Sequence, residues 1–273
     1  MLEHSDLGDM IMVKEGRRSM QLAWTHLLPA TFGGRATMNV QNAMAAAAAA
    51  FAAGASLHDI RQGLRTFSTN YYLAPGRLNE VSVEGRTVIV DYCHNVPGMV
   101  MLGDFVDKTG DVLESTNDLG RVSRIGVIAT AGDRRDDDMR ALGNEAAQHF
   151  DVLIVREDAN PRGRAAGEVA ELVVQGARQA RAEGARCKQI ETVLDELASV
   201  RHAMSRSNPG DLVVICVEQH AAVMALLESY GHHAQPGARA DDDREFSNAV
   251  PDPDYAPDAT HDEPEPVAMQ ELP

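Results

Sequence analysis

An aspartate at the end of an apolar run opens the most chemically suggestive stretch of this chain. Val88 to Asp91 have the pattern of a strand end, and a polar turn then leads into a helical pattern from Pro97. In an open α/β sheet, strand carboxyl ends and helix N-termini face one crevice, where ligands bind. A carboxylate there can accept hydrogen bonds from ribose or approach a phosphate through a metal ion. By position alone, Asp91 could equally cap the helix ahead of Pro97.

Two polar segments precede this aspartate. Arg77, in the sequence PGRLN, follows a turn, and its guanidinium could bind a nucleotide phosphate through paired hydrogen bonds. An exposed interdomain salt bridge is the alternative for Arg77. Asn39 and Asn42 are three apart in a helical pattern, and an amide suits the edge of adenine because it offers a donor and an acceptor. A helix-capping role is favoured for Asn39.

The segments NVQNAMAAAAAA, PGRLN and DYCHNVPG occur in this order and together resemble the ATP-dependent amide ligases of the Mur family. The resemblance covers about residues 31–230. It implies that Arg77 contacts ATP, that Asp91 is the nucleotide-contacting aspartate of the last domain, and that Asn42 lies near the adenine base. ATP and Mg²⁺ are therefore the expected cofactors.

The turn after Asp91 departs from the family pattern, which usually reads DYAHNP. This chain has Cys93 in place of alanine, and the added Val96 shifts the proline by one residue. His94 and Asn95 are candidate nucleotide-binding residues by their place in the motif. A buried hydrogen-bonding role is an equal alternative for His94, and no serine or thiol is visibly paired with it as a nucleophile.

Two later turns resemble turns of the family: the first is similar to one in the ligases generally, and the second to one in the branch that makes cyanophycin, a polymer of aspartate and arginine. The first turn implies a cleft for the incoming amino acid, and the second adds an acid pair whose carboxylates could hold an arginine guanidinium. A capped turn and solvated loop charges are the respective alternatives. The candidate substrate-side residues are Gly132, Asp133, Arg134, Glu157, Asp158, Arg162 and Arg164.

In the full enzyme that the resemblance implies, ATP phosphorylates an aspartate side chain of a poly-aspartate backbone, and the amine of arginine attacks the acyl phosphate. The sequence has no GxGxxG after a strand, so a dehydrogenase is not favoured. It also has no GxxxxGK[ST] loop, which would hold the β and γ phosphates of ATP. We therefore expect a portion of a larger ligase that is inactive alone, with no catalytic residue assigned. The missing ligase domains or a second copy would be partners. A non-catalytic nucleotide- or protein-binding module is the alternative.

Charge and composition narrow the function classes. The net charge of −16 is concentrated near the C-terminus, where residues 241–273 hold eleven acidic residues against Arg244. Without a basic patch, nucleic acid is not an expected partner. Three cysteines without CxxC spacing favour neither a disulfide framework nor a zinc knuckle. The first residues lack the pattern of a secretion signal, and the alanine-rich run at 43–53 is too short to span a bilayer, so a cytoplasmic protein is expected.

The pattern of elements predicts an α/β fold with a mostly parallel, Rossmann-like sheet and helices on both faces. Residues 1–72 are expected to be a remnant of a Mur central domain, mainly helical from residue 38. Residues 73–234 are expected to form the Mur C-terminal domain, and 235–273 a disordered acidic tail. Strands are predicted at 78–83, 87–91, 124–129, 152–155, 188–190 and 211–217, helices at 38–53, 97–108, 136–149, 166–182, 194–205 and 221–230, and a polar loop at 110–121.

Overall fold

A computed structural model of the protein describes residues 1–116 and 120–231. The predicted disordered tail at 235–273 lies outside the described residues. The described part is a mixed α/β fold with a mostly parallel central sheet, which confirms the predicted fold class. Within it, no helix is both long enough and apolar enough to cross a membrane.

The N-terminal part combines a small antiparallel sheet with two helices. The sheet has the order β1 (Leu2–Ser5), β2 (Gly8–Glu15) and β3 (Arg18–Trp24), and the helices are α1 (Thr37–Ala52) and α2 (Leu57–Thr66). Short 3-10 turns at Thr25–Leu27 and Pro29–Thr31 connect the sheet to α1. The hydroxyl of Ser56 accepts a hydrogen bond from the Asp59 amide and so caps α2.

A six-stranded sheet forms the rest of the framework. Its strands are β4 (Asn79–Val83), β5 (Arg86–Asp91), β6 (Arg124–Ile128), β7 (Val152–Val155), β8 (Gln189–Thr192) and β9 (Leu212–Cys216). They lie in the order β4-β5-β9-β6-β7-β8, and only β4 is antiparallel to its neighbour. Every residue of β6 and β9 is buried, as expected for central strands covered on both faces.

Helices cover both faces of this sheet. They are α3 (Val96–Thr116), α4 (Asp136–His149), α5 (Glu168–Ala182), α6 (Glu196–Arg206) and α7 (His220–Glu228). Side chains of α3, α4 and α5 share one buried cluster with alternate strand residues such as Ile89, while α6 and α7 share the other with Val88 and Val90. The carboxyl ends of β5, β6, β7 and β9 therefore open onto one edge, between the helix layers.

The predicted loop at 110–121 is wrong over its first half, because α3 continues to Thr116. Gly110 suggested a break, but the buried side chain of Arg124 lies against it, and a Cβ there would fall 2.2 Å from the Arg124 Nε. The Arg124 guanidinium also binds Asp107 and Asp111 at 2.5 and 2.7 Å. Tertiary contacts therefore extend the helix beyond its local sequence signal.

Candidate nucleotide-binding site

Asn42 and Arg77, predicted to approach a nucleotide base and phosphate, line one cleft of about 650 Å³ together with Asn39. Asn39 and Asn42 come from α1. Arg77 comes from residues 67–78, the connector between α2 and β4. Small and branched apolar side chains of α1 and α2 form much of its wall. They include Ala43, Ala47, Ile60 and Leu64. A mostly apolar cleft with a few polar groups suits a planar heterocycle with a charged extension.

The two asparagines form a linked pair on α1. The Asn39 Nδ2 donates to the carbonyl of Ala30 at 2.7 Å, and its Oδ1 accepts from the Asn42 Nδ2 at 3.2 Å. The favoured capping role for Asn39 is wrong, since Ala36 occupies the N-cap position and Asn39 lies inside the first turn. Asn39 instead accepts a hydrogen bond from the exposed amide of Asn42 and so helps to orient it.

Arg77 is exposed, and its guanidinium lies above an aromatic ring. The guanidinium carbon is 5.6 Å from the centroid of the Tyr92 ring, a distance at which the cation and the ring attract each other. The backbone amide of Tyr92 donates to the Gly76 carbonyl at 2.9 Å and ties the strand end to the connector. The charge of Arg77 therefore has a fixed support and remains accessible to an anion in the cleft.

Asp91 is half-buried at the end of β5 and does not itself line the cleft. Its two carboxylate oxygens accept from the backbone amides of Leu78 at 2.9 Å and Cys93 at 2.8 Å. Burial raises the pKa of Asp91, although the two amide bonds and the nearby Arg77 oppose the rise. Asp91 thus joins the connector to the turn after β5, close enough to Arg77 to interact with its charge.

The alternative of Asp91 as the cap of the following helix is wrong, because Asn95 has that role. The Asn95 Oδ1 accepts from the Gly98 amide at 2.8 Å, three residues into the first turn of α3. His94 is exposed, which contradicts the buried alternative for it, and its Nδ1 lies 2.7 Å from the Tyr92 carbonyl. The carbonyl of His94 accepts from the Thr130 hydroxyl at 2.9 Å, so the segment after β6 supports the turn.

The two predicted substrate-side turns lie against each other. Arg164 donates to the backbone carbonyls of Gly132 at 2.8 Å and Arg134 at 3.0 Å. Arg162 and Asp133 form an exposed ion pair at 2.6 Å. Gly132 has no room for a side chain, since a Cβ would lie 2.1 Å from the Pro161 carbonyl oxygen. The fold therefore brings together two segments that are separated by about thirty residues.

The two acidic residues after β7 have different surroundings. Glu157 is buried, and its carboxylate accepts from the amides of Gly167 at 2.8 Å and Ala170 at 3.0 Å at the start of α5. These bonds favour a structural role for Glu157. Asp158 is partly exposed and binds the Arg156 guanidinium at 3.1 Å. Burial raises the pKa of Asp158, and Arg156 acts against that rise.

Sequence reasoning missed the buried charges beneath this edge. The Arg156 guanidinium donates to the Cys216 carbonyl at 2.7 Å and lies 3.3 Å from Glu196, whose carboxylate also accepts from the amides of Glu218 and Gln219. An arginine directly after the apolar run VLIV was the available signal. Among the described residues, no three His, Cys, Asp or Glu side chains converge as a metal site would require.

Comparison with known proteins identifies the family. A family model described as the Mur ligase, glutamate ligase domain matches residues 76–217. The chain belongs to the Mur ligase family. The matched residues run from the glycine before Arg77 to the residue after β9, and so include all six strands of the larger sheet.

Curated relatives of this Mur ligase chain include two cyanophycin synthetases. The chain is 35% identical over 217 residues to that of Crocosphaera subtropica and 37% identical over 219 residues to that of a Synechocystis species. Each alignment covers 80% of the chain but 23% of the relative, so the chain spans about a quarter of the length of these proteins.

Solved structures of the family show the same fold. Mycobacterium tuberculosis folylpolyglutamate synthase, complexed with ADP and AMPPCP, aligns with a TM-score of 0.55 at 18% identity, over 86% of this chain and 48% of that one. The UDP-N-acetylmuramate-alanine ligase of Thermotoga maritima aligns with a TM-score of 0.53 at 14% identity, over 85% and 45%. At these identities the likeness concerns the fold alone.

Proposed function

We propose that this chain is part of an ATP-dependent amide ligase of the cyanophycin synthetase type. The observation that supports it most is that the amides of Asn39 and Asn42 and the cation of Arg77, which lies over the Tyr92 ring, line one cleft. The identity to cyanophycin synthetases agrees with it. In this proposal Asn42 meets the adenine edge and Arg77 a phosphate, while Asp91, His94 and Asn95 shape the turn beside them.

The proposed reaction has two steps. The γ-phosphoryl group of ATP passes to the side-chain carboxylate of an aspartate in a poly-aspartate chain, which gives an acyl phosphate and ADP. The amine of arginine then attacks the acyl carbon, phosphate leaves, and an amide bond remains. Mg²⁺ would neutralise charge on the phosphates when bound, but the described residues form no cluster that fits it, so we assign it no ligands here.

The second substrate would enter at the paired turns after β6 and β7. The carboxyl edge of the sheet carries Asp158 and the turn at Gly132, Asp133 and Arg134. Ligands of open α/β sheets bind at this edge, and Asp158 offers a carboxylate there for the incoming amino acid. We propose that residues 1–72 belong to the central domain and 73–234 to the last domain of the ligase. This chain would then position nucleotide and amine, while the phosphate-binding loop comes from another polypeptide or another part of a longer protein.

A complementation assay tests this proposal. The purified chain is mixed with a separately expressed polypeptide that carries the phosphate-binding part of a cyanophycin synthetase, and incorporation of labelled arginine into a poly-aspartate primer is measured. We expect ATP-dependent incorporation only when both are present, and a reduction of about 10-fold or more for Arg77→Ala, which removes a charged hydrogen-bond donor. Arg65→Ala, an exposed change on α2, is the matched control and should leave incorporation unchanged.

The assay also separates the alternative function. Incorporation by the chain without a companion would show that the proposed division of labour is wrong. If a companion binds but incorporation stays at background and ATP has no effect on binding, the chain is a non-catalytic protein-binding module. That module is the second candidate because the two turns on the carboxyl edge present exposed charges.

A further inference from the structure

The side chain of Asn79 joins the connector before Arg77 to the last helix. Asn79 is 1% exposed. Its Nδ2 donates to the carbonyls of Thr69 at 2.9 Å and Ala74 at 2.8 Å, and its Oδ1 accepts from the Gly76 amide at 2.6 Å. The same oxygen lies 2.8 Å from the Nε2 of His220. One buried amide, with every hydrogen-bonding position in use, therefore holds the connector at three points.

His220 is the buried first residue of α7, and its ring must be the donor in this contact. The Asn79 Oδ1 already accepts from Gly76 and carries no hydrogen, so the shared proton belongs to the His220 Nε2. Burial lowers the pKa of His220, which favours the neutral ring. The ring stacks on Tyr71 at 5.1 Å between centroids and 16° between planes, and lies 6.1 Å from the Tyr92 ring.

Both neighbours of Arg77 are fixed by this arrangement. Gly76 is held by Asn79 on its amide and by Tyr92 on its carbonyl. Leu78 is held through its amide by Asp91 and has a φ of +47°, which a leucine adopts only when its surroundings impose it. The guanidinium of Arg77 then rests over the Tyr92 ring, whose other neighbour is His220.

We propose that His220 is a positioning residue for the nucleotide. Through Asn79 and Tyr92 it holds the backbone and the guanidinium of Arg77 in place before a nucleoside triphosphate arrives. Because a preorganised cation loses less freedom on binding, this contact raises affinity without touching the ligand. The inference rests on the proposed function, since it assumes that Arg77 contacts the nucleotide.

Two variants of His220 separate donation from packing. His220→Phe keeps an aromatic ring over Tyr71 and loses the donor, whereas His220→Gln offers a side-chain N–H again. Amide hydrogen exchange of the full chain is measured first, without nucleotide. We expect the Gly76 amide to exchange about 5-fold faster or more in His220→Phe, since one hydrogen bond fewer holds Asn79. The β6 amides should be unaffected, and His220→Gln should restore Gly76. His58→Phe, at an exposed site on α2, is the control.

Affinity for a fluorescent ATP analogue with Mg²⁺ is measured next. His220→Phe should raise Kd about 5-fold, Arg77→Ala by at least as much, and the double variant no more than Arg77→Ala alone, because both changes act through one guanidinium. If the two changes weaken binding additively in the double variant, this inference alone is overturned. The same holds if His220→Phe leaves Kd unchanged while Arg77→Ala binds weakly. If Arg77→Ala binds the analogue as tightly as the wild type, or if the wild type does not bind it, the proposed nucleotide site is wrong. Hydrogen exchange at Gly76 would still report whether the contact between His220 and Asn79 holds the connector.

Discussion

Among the described glycines with a positive φ, Gly76 leaves the least room for a side chain. Its φ is +69°, and a Cβ built there would lie 2.1 Å from the Tyr92 ring, the ring that supports Arg77. Gly33 has nearly the same backbone conformation, with a φ of +68°, but nothing lies within 4 Å of its hypothetical Cβ. The two glycines therefore separate the cost of backbone conformation from the cost of steric overlap.

Gly76→Ala should destabilise the protein more than Gly33→Ala. We expect a loss of about 1 kcal/mol in the free energy of unfolding for Gly33→Ala, from the left-handed backbone alone, and about 3 kcal/mol for Gly76→Ala, where the Tyr92 ring must also move. Urea unfolding followed by circular dichroism measures both. Equal losses would show that the ring moves aside at little cost.

At the residue scale, motifs predicted partners that lie close in sequence better than those that lie far apart. The PGRLN motif drew attention to Arg77, yet its most connected residue is Asn79, whose partner His220 is 141 positions away. No local pattern reports a contact of that range. Asn95 is an exception at short range: it was proposed to bind nucleotide from its place in the motif, but its side chain caps α3 through the Gly98 amide three residues away. The nucleotide role of these residues stays a prediction.

At the scale of elements, local chemistry was informative where the backbone itself is constrained. The predicted strands at 78–83 and 87–91 leave Glu84-Gly85-Arg86 between them, a sequence that favours a hairpin. In the structure Glu84 and Gly85 have a positive φ, of 48° and 80°, as a two-residue hairpin turn of the primed type requires, and Arg86 belongs to β5. The end of α3 was not predictable in this way. Its last turns depend on Arg124, which belongs to the next strand and is buried against Gly110.

The same interface of α3, α4 and β6 contains a titratable contact. His149, at the end of α4, binds Asp107 on α3 through Nδ1 at 2.7 Å and Glu145 through Nε2 at 3.2 Å. Burial alone lowers the pKa of His149, but the hydrogen bonds to Asp107 and Glu145 outweigh it, and the pKa is raised overall. Burial likewise raises the pKa of Asp107, yet His149 and Arg124 lower it overall.

His149 should therefore stabilise the protein in a pH-dependent way. Because its pKa is higher in the folded state, its contribution is complete below about pH 6.5 and is lost as the pH rises through the raised pKa. We expect His149→Gln to lower the free energy of unfolding by about 1–2 kcal/mol near pH 6, and by less near pH 8.5. Asp107 remains ionised across this window, so it does not mask the trend.

Urea unfolding at both pH values measures this difference. His58→Gln, an exposed substitution on α2, controls for the loss of a histidine and should have the same small effect at both. A loss from His149→Gln that is equal at both pH values would mean that the ring contributes through packing and not through its charge.

At the scale of the whole molecule, residues just before α1 join the N-terminal part to the core of the six-stranded sheet, although the N-terminal part also has a buried cluster of its own. Phe32 and Ala36, which precede α1, belong to the same buried cluster as Leu78 and Phe105 of the second part. The rings of Phe32 and Phe105 meet edge to face, with centroids 5.2 Å apart. Thr37 adds a hydrogen bond to Asp104 at 3.0 Å. This contact holds α1, with its two asparagines, in a fixed relation to Arg77.

Phe32→Ala should uncouple the two parts of the structure. Trp24, the one tryptophan of the chain, lies at the end of β3 and reports on the N-terminal part, whereas far-ultraviolet circular dichroism reports mainly on the helices around the larger sheet. In the wild-type protein the two signals should change together in urea, because the shared core makes unfolding cooperative. Removing a buried phenylalanine costs about 3 kcal/mol, and this cost falls on the joining contact. In Phe32→Ala we therefore expect the fluorescence transition to move to a lower urea concentration than the dichroism transition.

Phe67→Ala, at a residue 47% exposed, should leave the transitions superimposed. If both signals of Phe32→Ala shift by the same amount, the coupling does not depend on this side chain, and other contacts must join α1 to the sheet.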